Sequence, residues 1–242
     1  QGDDYIMYAF KNVEGFSKFG SYTGNGSANG PIVETGFEPA FLMIKRSSDT
    51  GNWLLHDNKR TSSATPHKLL FPNDSAAEQD KPYVNFLSNG FQIIDASSQT
   101  GGTNYTINGS TYIYMAFAAD PDTEAPTVAK SFSTVAYTGT GSAQTISGLG
   151  FKPSFLWTKQ TDGTFSHIIH DTLNQPNLLI TNSAGALITN GSNTATFTDD
   201  GFSLEGGGNH TSINNSGSNF VAWAFKADDN EPTIFGGSAL AV

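Results

Sequence analysis

Apolar residues along this chain fall in short runs and alternations, never in a sustained helical period. Ala40-Phe41-Leu42-Met43-Ile44-Lys45 and Ser154-Phe155-Leu156-Trp157-Thr158-Lys159 read as buried strands. Each is followed by a polar connector, Arg46 to Gly51 or Gln160 to Thr164, and then by a second apolar segment, Asn52 to His56 or Ser166 to His170. Both pairs are predicted to be hairpins. Phe91-Gln92-Ile93-Ile94 and Phe202-Ser203-Leu204 follow Asn-Gly and Asp-Gly, which favour tight turns. Closing strands are predicted at 112–117 and 220–225, after Asn108-Gly109-Ser110 and Ser216-Gly217-Ser218. Pro39 and Pro153 stand just ahead of their strands, where proline is tolerated. The pattern predicts an all-β protein built as two tandem β-sandwich, jelly-roll-like repeats.

The tandem arrangement is visible in the residues. Gly36-Phe37-Glu38-Pro39-Ala40-Phe41-Leu42 returns as Gly150-Phe151-Lys152-Pro153-Ser154-Phe155-Leu156. Lys45 matches Lys159, and His56-Asp57 matches His170-Asp171. Upstream, Tyr22-Thr23-Gly24-Asn25-Gly26-Ser27 matches Tyr137-Thr138-Gly139-Thr140-Gly141-Ser142. Order is kept while the offset drifts by a few residues, as small loop insertions would cause. The opening Tyr5-Ile6-Met7-Tyr8-Ala9-Phe10 resembles both closing strands, and is expected to be the ordered, largely buried closing strand of a preceding repeat. On that reading the chain is part of a longer array, or a processed product of one. The expected boundaries are a closing strand at 1–11, repeat 1 at 12–118, an acidic proline-containing linker at 119–127, repeat 2 at 128–226 and a C-terminal extension at 227–242.

Composition sharpens this. Charged residues make up only 14%, against 37% hydrophobic and 12% aromatic, which suits pleated half-buried surfaces better than charged helices. A net charge of −10 with scattered basic residues argues against nucleic acid, which needs clustered Lys and Arg. No apolar run approaches the ~20 residues that span a bilayer as a helix. The absence of cysteine removes disulfides and thiolate metal sites.

The Tyr-Thr-Gly-x-Gly opening, the Gly-Phe-x-Pro-x-Phe-Leu-x-x-Lys strand and the closing Tyr-Ile-x-x-Ala-Phe strand resemble a domain of unknown function found in tandem in bacteriophage tail proteins. Val13 to Gly26 is the stretch of closest similarity, and repeat 2 is looser, with Gln160 in place of Arg46. The resemblance implies a virion tail or tail-fibre component with no known catalytic residues. It also implies a homo-oligomer, trimeric where such proteins form fibres, in contact with other virion proteins and found outside the cell after release.

Four kinds of chemistry deserve weighing. The His56-Asp57 and His170-Asp171 pairs could orient a general base, but neighbours on a strand point to opposite faces, and no nucleophile motif accompanies them. They are expected to be architectural. Asp120, Asp122, Asp199, Asp200, Asp228 and Asp229 could offer oxygen ligands to calcium, but without EF-hand spacing they read as turn and linker residues; no cofactor or metal is expected. His67, His167 and His210 lack zinc-ligand spacing. The glutamates do not recur between repeats, which weighs against a hydrolase on the shared scaffold. Glycan binding by aromatic and amide side chains on loops is the better small-ligand reading. Its candidates are Trp53, Tyr83, Asn104 and Tyr105 in repeat 1, with His67 beside them, and Asn209, His210, Asn214 and Asn215 in repeat 2. The expected function is therefore non-enzymatic: a phage-tail structural protein that meets a host-surface glycan. The alternative is a carbohydrate-binding module pair from a bacterial extracellular protein.

Overall fold

A computed structural model describes residues 6–60, 68–94, 105–118, 131–189, 194–206 and 212–227. Among these residues the chain is all β, with no helix long and apolar enough to cross a membrane. Repeat 1 holds β1 (Ser17–Thr23), β2 (Ile32–Glu34), β3 (Pro39–Arg46), β4 (Trp53–Asp57), β5 (Lys68–Leu69), β6 (Gln79–Asp80), β7 (Val84–Leu87), β8 (Gly90–Ile93) and β9 (Thr111–Ala118). Repeat 2 holds β10 (Phe132–Thr138), β11 (Gln144–Ser147), β12 (Phe155–Gln160), β13 (Ile168–Asp171), β14 (Leu179–Ile180), β15 (Ala195–Thr198), β16 (Gly201–Leu204) and β17 (Asn219–Phe225).

Each repeat is a sandwich of two antiparallel sheets. Repeat 1 pairs a β1-β9-β3-β4 sheet with a β2-β8-β7 sheet; repeat 2 pairs β10-β17-β12-β13-β14 with β11-β16-β15. All strand pairing stays within a repeat, so the halves do not interleave as one larger roll. Phe41 lies opposite Asp57 and Phe117, and Phe155 opposite Asp171 and Phe225, so the two phenylalanines hold equivalent positions. Phe41 is fully buried and Phe155 half-buried.

The repeated glycines have local causes. A Cβ on Gly24 would sit 2.3 Å from the Ile107 carbonyl oxygen, and one on Gly139 would sit 2.2 Å from that of Asn215. Gly26 and Gly141 both take φ +69°, in the left-handed region. The Tyr of the same motif ties this turn down: Tyr22 donates to the Tyr105 carbonyl at 2.8 Å, and Tyr137 to the Ile213 carbonyl at 2.7 Å.

The two sandwiches share a third core. In β9, Tyr112, Tyr114 and Ala116 face the repeat-1 core while Met115 and Phe117 face away from it. In β17, Ala222 and Ala224 face the repeat-2 core while Val221, Trp223 and Phe225 face away. Those outward faces pack on each other, with Phe41, Leu55, Leu70 and Phe132 completing the layer. Phe117 and Phe225, equivalent residues, meet at 5.0 Å between ring centroids, and Phe41 meets Trp223 edge-on at 6.0 Å. The result is four stacked sheets around three apolar layers. Large aromatic side chains each contribute on the order of 1.5–3 kcal/mol when buried, so this shared layer is a main source of stability.

Residues 6–10 form no strand, which corrects the expectation for the opening segment. Met7 is 83% exposed and Phe10 43% exposed. The segment is held by side chains instead of backbone pairing. Tyr8 donates to Asp171 Oδ2 at 2.6 Å and stands edge-on to Phe155 at 4.8 Å. Phe10 lies against Phe19, Phe117 and Phe225. Aromatic sockets between the two large sheets hold it in place of the ladder that an edge strand would require.

Candidate functional site

The His-Asp pairs lie at the ends of β4 and β13, and strand alternation separates their side chains. His56 Nε2 meets the Tyr105 hydroxyl at 2.7 Å inside the repeat-1 core. Asp57 turns to the shared layer. Its Oδ1 accepts the Lys59 and Arg60 amides, both at 3.0 Å, and its Oδ2 accepts Arg60 Nε at 2.7 Å and Trp223 Nε1 at 3.2 Å. Asp171 repeats the design: its Oδ1 accepts the Leu173 and Asn174 amides, both at 2.9 Å. Asn174 Nδ2 takes the place of the Arg60 guanidinium, bonding both carboxylate oxygens at 2.8 Å. Tyr8 donates to Asp171 as Trp223 does to Asp57. The repeated Asp therefore caps the loop after its strand and joins it to Trp223 of the facing sheet in repeat 1 and to Tyr8 of the opening segment in repeat 2.

Around Asp57 lies a charged cluster at the junction of the repeats. Arg60, whose side chain is 3% exposed, also bonds Glu78 at 3.3 Å and stands 5.9 Å from the centre of the Trp223 ring. Two further Arg60 contacts go to the Leu55 and Lys68 carbonyls. The Glu78 amide donates to the Thr161 carbonyl at 2.9 Å, and the Thr181 hydroxyl donates to the Pro72 carbonyl, so residues 70–80 of repeat 1 are fastened onto repeat 2. Behind them His167 Nδ1 accepts Trp157 Nε1 at 3.0 Å, and burial, reinforced by Lys159 and Arg60, keeps this imidazole well below its usual range and neutral.

Lys159 is fully buried, and its ammonium donates to the carbonyls of Gln160 and Gly163, closing the β12–β13 turn. Lys45 does the same for Arg46 and Asp49 in repeat 1, which explains why this lysine recurs. Burial, with Arg60 adding repulsion, brings the Lys159 pKa down from 10.5 to about 8. A depressed lysine pKa means that folding bears the burial of the charge below pH 8. Between about 8 and 10.5 the unfolded chain holds more protons than the folded one, so stability rises with pH across this window. Urea titrations of the parent and of Lys159→Met should show their stability difference shifting toward the parent from pH 8 to 10.5. A flat difference would contradict the burial of this charge.

Next to the cluster a cleft of ≈340 Å³ opens between the repeats. Lys59 and Glu78 border it from repeat 1, and Tyr137, Thr138, Thr161 and Asn219 from repeat 2. It combines aromatic surface with hydrogen-bonding groups.

Of the residues expected to bind a glycan, none of the described ones borders it. Trp53, half-buried, opens β4, and its amide donates to Asn73 Oδ1 at 2.8 Å. Tyr83 is partly buried against the repeat-1 core, 5.7 Å edge-on from Tyr105, with Lys81 Nζ 5.8 Å from its ring centre. Tyr105 and Asn214 are fully buried, which corrects their reading as ligand-facing loop residues. Asn214 Oδ1 accepts the Thr140 amide at 3.0 Å and Gln144 Nε2 at 2.6 Å, while its Nδ2 donates to the Ser142 carbonyl at 2.8 Å. It is a framework residue, knotting the Tyr-Thr-Gly-x-Gly turn to the loop before β17. Asn215 bonds the neighbouring Ser218 hydroxyl at 3.0 Å. Asn104, Asn209, His210 and His67 lie outside the described residues. Among the acidic candidates, Asp200 accepts the Gly148 and Gly150 amides at 2.9 and 2.6 Å; Asp120, Asp122, Asp228 and Asp229 lie outside the described residues. Arg60 and Glu78, central to the junction, do not recur and so carry no repeat signal.

The fold and this junction define a tandem β-sandwich protein whose two copies are joined face to face. The chain belongs to the family described as domain of unknown function DUF7483, which matches residues 1–121 and again 127–239. No curated protein and no solved structure matches the chain.

Proposed function

We propose that this chain is a non-enzymatic structural protein of a bacteriophage particle, a component of its tail or tail fibre. In this reading it assembles as a homo-oligomer, packs against other virion proteins and meets a glycan of the host surface. It belongs to the particle, and is extracellular once released. The observation that carries the reading is the use made of the chemically suggestive residues. Both His-Asp pairs, the repeated lysines and Asn214 are tied into loops and layer junctions, as in a rigid building block. The resemblance of the Tyr-Thr-Gly-x-Gly and Gly-Phe-x-Pro-x-Phe-Leu segments to tandem tail-protein domains supplies the setting.

A second reading, a carbohydrate-binding module pair of a bacterial extracellular protein, is favoured by the cleft bordered by Tyr137, Thr138, Asn219 and Lys59. Aromatic surface beside amide, hydroxyl and ammonium groups suits a sugar. Mass spectrometry of purified particles separates the two. The tail reading expects peptides from both repeats at the stoichiometry of a structural component. A chain found in cell supernatants and absent from purified particles would overturn it.

A further inference from the structure

The shared layer covers the two large sheets unequally. Ile113, Lys45 and Trp53 form one rung across β9, β3 and β4. Their repeat-2 counterparts are Val221, Lys159 and His167, all fully buried. Segment 70–80 of repeat 1 stands against them: the Glu78–Thr161 and Thr181–Pro72 bonds fasten it, Leu70 shares an apolar cluster with Val221, and the Phe71 backbone hydrogen-bonds His167. On repeat 1 the same rung is uncovered: Ile113 is 42% exposed, and Lys45 and Trp53 are half-buried. On the next rung inward Phe19, Met115 and Met43 are also only partly buried, while Leu55 at its β4 end is fully buried. An apolar strip therefore runs out of the inter-repeat layer onto open surface, and methionines on it suit an adaptable contact.

Repeat 2 carries the matching element. The β5–β6 ladder sets Leu69 opposite Gln79, next to the Leu55–Leu70 bridge. In repeat 2 Leu179 pairs with Ile169, and Leu178 bridges to Ile188. By this register Ile188 stands where Gln79 does, and Leu187 where Glu78 does. Both are apolar and 37% exposed. Repeat 1 uses this lobe to cover repeat 2, whereas the lobe of repeat 2 bears unpartnered leucine and isoleucine.

We infer that the Ile113–Trp53 strip of repeat 1 is a docking surface for a second copy of this chain, whose Leu187–Ile188 lobe covers it. The contact continues an interface that the chain already makes within itself. It joins unlike surfaces, so it closes as a two-fold pair where both reciprocal contacts form at once and otherwise builds rings or fibres. The inference rests on the homo-oligomeric reading above and names its surface.

The chain has no cysteine, so single thiols report contacts cleanly. Ile113→Cys and Leu187→Cys chains, prepared separately, are mixed and oxidised with copper-phenanthroline, while the parent chain is sedimented in parallel. The expected product is a disulfide between position 113 of one chain and 187 of another, in excess over either homodimer. Ile113→Asp, at an exposed position, should fall to the sedimentation coefficient of a single chain with its far-UV circular dichroism unchanged. An oligomeric parent giving only 113–113 bonds, or none, would overturn this contact while leaving assembly standing. A parent that sediments as a single chain at all concentrations would overturn both.

Discussion

Replacing Trp223 by alanine should destabilise the chain by about 3–5 kcal/mol, the range for deleting a large aromatic from a core. Trp223 is fully buried and belongs by sequence to repeat 2, yet its indole donates to Asp57 at 3.2 Å and its ring meets Phe41 at 6.0 Å, both in repeat 1. It also meets Trp157 edge-on at 5.6 Å within its own repeat. The loss should be felt in both halves, and hydrogen exchange should speed up in β3 and β4 as well as in β12 and β17. Trp223→Phe keeps most of the apolar volume and removes the N–H, so it should cost less, about 1–3 kcal/mol for the lost hydrogen bond to the carboxylate. Urea denaturation with exchange measured by mass spectrometry checks both. A variant that loosens repeat 2 alone would contradict the shared layer.

Removing Arg60 should have an effect of similar size. Arg60→Ala leaves Asp57, whose side chain is fully buried, without its ion-pair partner, and leaves Glu78 with Lys68 at 3.5 Å. Breaking a buried pair from one side costs about 3–5 kcal/mol, because the remaining charge is neither solvated nor paired. Arg60→Met with Asp57→Asn should recover part of that loss, since an amide oxygen can still accept the Lys59 and residue-60 amides. The exposed Arg46–Asp49 pair is a control: it is as short, at 2.6 Å, but Asp49 is 62% exposed, so Arg46→Ala should cost less than about 1 kcal/mol. Thermal or urea unfolding of the three variants gives the ranking. An Arg60→Ala loss no larger than that of Arg46→Ala would remove the junction from the stabilising features of the fold.

Much of the repeat was legible because its signals are local. The β3–β4 and β12–β13 hairpins, the Asn-Gly and Asp-Gly turns and the recurring Tyr-Thr-Gly-x-Gly turn each follow from residues close in sequence. The opposed directions of His56 and Asp57 follow from strand alternation alone. The shared layer was not legible. Phe41 and Trp157 read as buried, but an apolar strand does not reveal whether its second face is covered by its own sandwich or by the next one. Arg60 and Glu78 carry no signal in the repeat because they do not recur, and Asn174 hides its equivalence to Arg60 behind a different side chain. Residues 6–10 misled because the same alternation of aromatics that marks a strand also serves a segment pinned by side chains in sockets. In sequence Asn214 looks like a loop residue; its role depends on Thr140, Gln144 and Ser142, some seventy positions earlier, as the bonds to them show.

The joining of the two sandwiches through one apolar layer can be measured without perturbing the chain. In a sample with protonated Phe and Trp on a deuterated background, nuclear Overhauser effects should connect the Phe41 ring with the Trp223 indole, whose centroids lie 6.0 Å apart. They should be as clear as those within each repeat, such as Phe41 with Phe117 at 5.9 Å and Trp157 with Trp223 at 5.6 Å. Strong intra-repeat effects with none between Phe41 and Trp223 would mean two sandwiches that move independently, and would contradict the four-layer body.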